Sequence, residues 1–96
     1  MINRNGDSLS VSGNMTIENI NSLFKEGLQP SQGGSLTVDF AQVDKMDSSA
    51  VSLMLVWVRE AARKQCELRF VNVPQNLLSL AKMYGVADML NIDVAA

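Results

Sequence analysis

The stretch Val38-Asp39-Phe40-Ala41-Gln42-Val43-Asp44-Lys45-Met46-Asp47-Ser48-Ser49-Ala50-Val51 constrains the fold more than any other part of this chain. Leu36, Val38 and Phe40 alternate with polar residues, which predicts a strand over Leu36 to Phe40 with one buried face. Acidic residues then give a turn, and an Asp-Ser-Ser triplet stands where a long apolar-rich helix begins, at about Ser48 to Gln65. A further strand-like run follows at Glu67 to Val71. Strand, helix, strand in that order implies a sheet with helices laid against it.

The flanking sequence extends the same pattern. Asn5-Gly6 is a strong hairpin signal, because both central positions of a type I′ turn need φ > 0. It separates a short strand at Ile2–Arg4 from a second at Leu9–Ser12. Thr16 can cap a helix whose buried stripe is Ile17, Ile20, Leu23 and Phe24, with Leu28 as a further candidate and Gly27 as the stop. Gln29 to Ser35, with Pro30, Gly33 and Gly34, reads as a surface loop. Its glycine pair lacks the Lys-Ser/Thr of a phosphate-cradling loop. Pro74 suits the first turn of a last helix that carries Leu77, Leu80, Ala81 and Tyr84, and Gly85 ends it. Val86 to Ile92 reads as one further helical turn folded over the core. The expected fold class is α/β: one domain over residues 1–96, a mixed sheet with an initial hairpin, and helices packed against it.

The central helix has more apolar surface than one sheet uses. On a wheel at about 100° per residue, Val51, Met54, Leu55, Val58 and Ala62 form one stripe, and Ala50, Leu53, Trp57 and Ala61 a second. Together they span roughly 200°, about twice the stripe a surface helix normally buries. The second stripe either packs under the Leu77–Tyr84 helix or belongs to a partner-binding patch of Ala50, Leu53 and Trp57. Tryptophan is favoured at binding hot spots because it buries a large rigid area.

Composition narrows the function. Ninety-six residues, 47% of them apolar, support one globular core that removes roughly two-thirds of the unfolded chain's surface from water. The net charge is −2, without the basic footprint that phosphate-backbone binding needs, so nucleic acid is not an expected partner. The chain has no histidine and a single cysteine, Cys66. Those counts exclude, within one chain, a disulfide, a His/Cys zinc site and a Ser-His-Asp or Cys-His catalytic group. Cys66 reads as a small buried apolar residue. Asp47 beside Ser48 lacks a third group to complete a nucleophile arrangement, so the expectation is a non-enzymatic protein with no cofactor and no metal. The N-terminal segment lacks the apolar core of a signal peptide, and the longest apolar run, Leu53 to Val58, is far short of the ~20 residues that span a bilayer. A cytoplasmic protein without direct membrane insertion is expected.

The Asp47-Ser48-Ser49 junction carries two readings. Ser48 or Asp47 can cap the helix by accepting an unpaired N–H of its first turn. The same place also suits a regulatory phosphate on Ser48, favoured by the helix N-terminus and opposed by Asp39, Asp44 and Asp47.

Leu9-Ser10-Val11-Ser12-Gly13, Thr37-Val38-Asp39-Phe40 and Met46-Asp47-Ser48-Ser49, in this order along nearly the whole chain, resemble the STAS domain family, which includes the anti-sigma-factor antagonists. In that family the hydroxyl residue directly after the Asp is the phosphorylatable or regulatory position, and it falls here on Ser48. Leu80-Ala81-Lys82-Met83-Tyr84 and the compact length are closer to the small STAS subunits of bacterial phospholipid-transport ABC systems that maintain outer-membrane lipid asymmetry. The resemblance implies a non-enzymatic subunit that binds an ABC transporter ATPase and is held at the inner membrane through it. The alternative it implies is an antagonist of an anti-sigma serine kinase, switched by phosphorylation at Ser48. Antagonists typically carry Gly two residues after that serine, where this chain has Ala50, whose methyl restricts close backbone approach.

Overall fold

The computed structural model describes residues 2–28, 30 and 32–90. Four strands form one sheet in the order β1 (Ile2–Asn5), β2 (Ser8–Met15), β3 (Ser35–Met46), β4 (Glu67–Val71). β1 and β2 are an antiparallel hairpin, and β2/β3 and β3/β4 are parallel pairs. Parallel neighbours need a crossover. Helix α1 (Ile20–Glu26) supplies the first and helix α2 (Ser48–Arg63) the second, while helix α3 (Gln75–Met83) and a 3-10 turn (Ala87–Met89) follow β4. This is the α/β domain with a mixed sheet and an initial hairpin that the sequence predicts.

The hairpin closes with Asn5 opposite Ser8, so Gly6 and Asp7 are its central residues. Gly6 has φ +63° and Asp7 does not share the left-handed region. The turn is therefore glycine-first, of the II′ kind, and not the type I′ turn expected from Asn5-Gly6.

Leu9 and Val11, Leu36, Val38 and Phe40, and Leu68 and Phe70 all point to one buried layer, and the Phe40 and Phe70 rings stack at 5.7 Å. α2 lies over this layer and packs against both α1 and α3. A helix with neighbours on both flanks buries more than a 100° stripe, which resolves the double stripe. Ala50, Leu53, Trp57 and Ala61 are buried, and Val51 and Met54 join them, whereas Leu55 and Val58 are half-buried and Ala62 is exposed.

Strand β3 is longer than the predicted Leu36–Phe40, running on to Met46 through the residues expected to turn. It holds this course by two bulges, between the pairs Ser10/Asp39 and Ser12/Gln42, and between Gly13/Val43 and Met15/Met46. Asp39 pins the first. Its Oδ1 accepts the Ala41 N–H (2.8 Å) and the Asn72 side-chain N–H (2.9 Å), tying the bulge to the residue after β4.

α1 begins at Ile20, later than a Thr16 cap predicts. Asn19 and Ile20 both donate their N–H to the Thr16 carbonyl, so residues 16–19 form a turn that turns Ile17 outward to 68% exposure. Phe24 is also exposed, leaving Ile20, Leu23 and Leu28 as the buried set. Tyr84 caps α3 and is 54% exposed, so it is not the core residue its spacing suggested. Leu90 is buried, as expected of a tail folded over the core, whereas Asn91 and Ile92 lie outside the described residues. Gln29 and Ser31 of the predicted loop do too, and the loop is anchored by Gly33, which donates to the Lys64 carbonyl, and Gly34, which accepts from Glu67.

Candidate functional site at the start of the long helix

Asp47, in extended backbone, is the N-cap of α2. One carboxylate does two things there. Oδ1 accepts the Ser49 N–H at 2.8 Å, filling an orphan amide of the first turn, and Oδ2 accepts the Ile17 N–H at 3.0 Å from the turn before α1. These backbone bonds, that of Ile17 foremost, hold the Asp47 carboxyl below its ordinary pKa, because both favour the charged form. Asp47 therefore clasps the 16–19 turn, with Ile17 on it, to the head of α2. Ser48 is released from capping. It is the first helical residue, exposed, and its hydroxyl makes no hydrogen bond among the described residues.

Beside Ser48 opens a groove of about 350 Å³, lined by Ser48, Ser49, Val51, Ser52, Leu55, Tyr84 and Val86. The N-terminal half of α2 makes one wall, and the end of α3 with the residue before the 3-10 turn makes the other. Met83, at 71% exposure, Met89 and Ile17 are also exposed, outside the groove lining. Within the groove Leu55, Tyr84 and Val86 form one apolar surface, and grouped apolar residues mark an interaction surface more than isolated ones do. Three serine hydroxyls and the tyrosine supply adaptable hydrogen bonding without placing a charge in the groove itself.

The expected Asp47, Ser48 and Ser49 come together at this site. The expected patch of Ala50, Leu53 and Trp57 does not: these residues are 0%, 0% and 1% exposed. They face the sheet and the flanking helices, so they support the docking face from beneath and present no surface to a partner. Leu55, Tyr84 and Val86 were missed. For Leu55 the signal was present, since Ser48, Ser52, Leu55 and Arg59 fall within about 60° on the wheel and three of the four are polar. For Tyr84 the helical spacing pointed inward.

Among the described residues no group of three or more His, Cys, Asp or Glu gathers to hold a metal, and no helix is long and apolar enough to cross a membrane. Cys66 is buried, as a small apolar residue would be. A comparison with curated protein sequences gave no match. The family described as "Mlab, STAS domain" matches residues 1–91, spanning all four strands, the three helices and the groove. The chain belongs to the STAS domain family.

Proposed function

We propose that this STAS domain is a non-enzymatic docking subunit of a bacterial phospholipid-transport ABC system. It binds the cytoplasmic ATPase subunit, supports its assembly or activity, and sits at the inner membrane through that partner. The observation that carries the reading is the open groove beside Ser48, apolar at Leu55, Val86 and Tyr84 and hydroxyl-lined at Ser48, Ser49 and Ser52. An apolar centre with hydroxyls at its edge excludes water without burying an unpaired charge, which suits lasting subunit association. The family match, whose description names Mlab, agrees with this reading.

The free, exposed Ser48 hydroxyl favours a second reading, a serine-phosphorylated antagonist of an anti-sigma kinase. Only a departure of sequence weighs against it, Ala50 where antagonists typically carry glycine, and Ala50 is buried beneath the docking face.

Affinity purification of the tagged chain from its native cell separates the two. The transporter reading expects an ABC-type ATPase in near-stoichiometric amount without added nucleotide. Ser48→Asp and Tyr84→Ala reduce its recovery while the isolated domain keeps its circular dichroism and melting profile. Recovery of a serine kinase with phosphate on Ser48 by mass spectrometry overturns the transporter reading.

A further inference from the structure

The groove at the head of α2 sits in an acidic end of the molecule. Asp47 is at its rim, Glu18 follows Ile17 on the turn that Asp47 clasps, Asp44 lies near the end of β3, and Asp88 is in the 3-10 turn after Val86. Lys45 and Lys82 are cations of this end, and Arg59 shares the Ser48, Ser52 and Leu55 face of α2. Four carboxylates against these three cations leave −1. Glu18, Asp44 and Asp88 are exposed and form no ion pair among the described residues. The grooves at the opposite end, on either side of Lys25–Leu28, set Arg4, Lys25, Arg63 and Lys64 against Glu26 and Glu60, an excess of the opposite sign. Charges that no internal partner needs, placed around an apolar groove, set a field for whatever docks there.

A helix N-terminus would by itself favour an anion. Here Asp47 already fills that role at the Ser49 amide, and three further carboxylates oppose a second anion. The field and the groove thus select the same occupant. We infer that the groove receives a basic peptide segment of the partner, which places an apolar side chain against Leu55, Val86 and Tyr84 and sets Lys or Arg residues beside Glu18, Asp44, Asp47 and Asp88. The inference rests on the docking reading above and adds the chemistry of the docked segment. Apolar contact then governs how long the complex lasts, and the acidic rim governs how fast it forms.

Two synthetic amphipathic peptides test it, sharing one apolar stripe and flanked in one case by Lys and Arg and in the other by Glu. Binding is read from backbone amide shifts of the isotope-labelled domain. The expected result is shifts at Ser48, Leu55, Tyr84 and Val86 with the basic peptide, and at least about tenfold weaker binding of the acidic one at low salt, the gap closing near 0.5 M salt. A triple variant, Glu18→Gln, Asp44→Asn and Asp88→Asn, changes exposed residues only and should lose the discrimination while remaining folded by circular dichroism. With the purified ATPase, the association rate should fall with salt for the wild type and stay nearly flat for the triple variant. Equal binding of both peptides, no binding of the basic one, undiminished discrimination in the triple variant, or groove shifts that grow with domain concentration alone (a second copy as occupant) each overturn the inference. Binding of the basic peptide at the groove together with no binding of the ATPase sustains the inference and removes the transporter reading instead.

Discussion

Trp57 is the sole tryptophan of the chain and one of the largest side chains in the core, and its replacement separates a structural role from a binding role. It is 1% exposed on the inner face of α2, so Trp57→Ala removes fully buried apolar surface and leaves a cavity that the sheet and neighbouring helices fill only partly. Such truncations cost about 3–5 kcal/mol, against a total of roughly 5–14 kcal/mol for a domain of this length. Trp57→Phe behaves differently. Among the described residues no acceptor meets the buried indole Nε1–H, and an unsatisfied buried donor costs about 1–3 kcal/mol. Phenylalanine removes that donor and keeps most of the ring, so the smaller cavity and the relieved N–H nearly cancel. The expected net change is within about 1 kcal/mol of the wild type. Urea melts followed by circular dichroism measure both variants, since each lacks the fluorophore. In the wild-type domain the indole should emit as a buried group, resist iodide quenching, and keep its emission when a partner docks. A loss below about 1 kcal/mol for Trp57→Ala, or strong quenching by iodide, refutes the core assignment. A cost for Trp57→Phe as large as for Trp57→Ala refutes the unsatisfied N–H.

Ser48→Ala should change stability by less than about 0.5 kcal/mol in a denaturant melt, because the hydroxyl bonds nothing and Asp47 caps the helix; a cost near 1 kcal/mol would return the cap to Ser48. Asp47 has a lowered folded-state pKa, so it contributes stability at pH values above its unfolded pKa, and that contribution is lost as pH falls through the folded pKa. The Asp47→Asn variant should therefore be less stable than wild type near neutral pH and converge toward it in acid, and a constant difference across an acid titration of the melting midpoint would contradict this. Asp39→Ala removes the acceptor shared by Ala41 and Asn72 and should cost about 1–2 kcal/mol, with faster amide hydrogen exchange at Ala41; unchanged exchange there would show that the bulge holds without it.

What the sequence determined by itself is the order of elements and the place of the site. Period-two alternation at Leu9–Val11, Leu36–Phe40 and Leu68–Phe70, and helical periodicity after Ser48, are local properties, and each strand or helix forms where its own pattern demands. Asp47-Ser48-Ser49 likewise marks the head of α2, because capping depends on neighbours within one turn. The tertiary structure decided which apolar residues face water. Periodicity says that a residue lies on a stripe, not what covers the stripe, and α2 carries two. Burial of Ala50, Leu53 and Trp57 follows from neighbours on both flanks of α2, and those neighbours come from α1 and α3, remote in the chain. Ile17 points outward with the turn before α1, which a long-range bond holds: the Asp47 carboxylate takes the Ile17 N–H from thirty residues away. The extension of β3 through its acidic residues has the same origin, since pairing with β2 carries the strand through two bulges that no local pattern requires. The groove beside Ser48 exists because the head of α2 and the end of α3 meet, and that meeting is a property of the packed sheet and helices together.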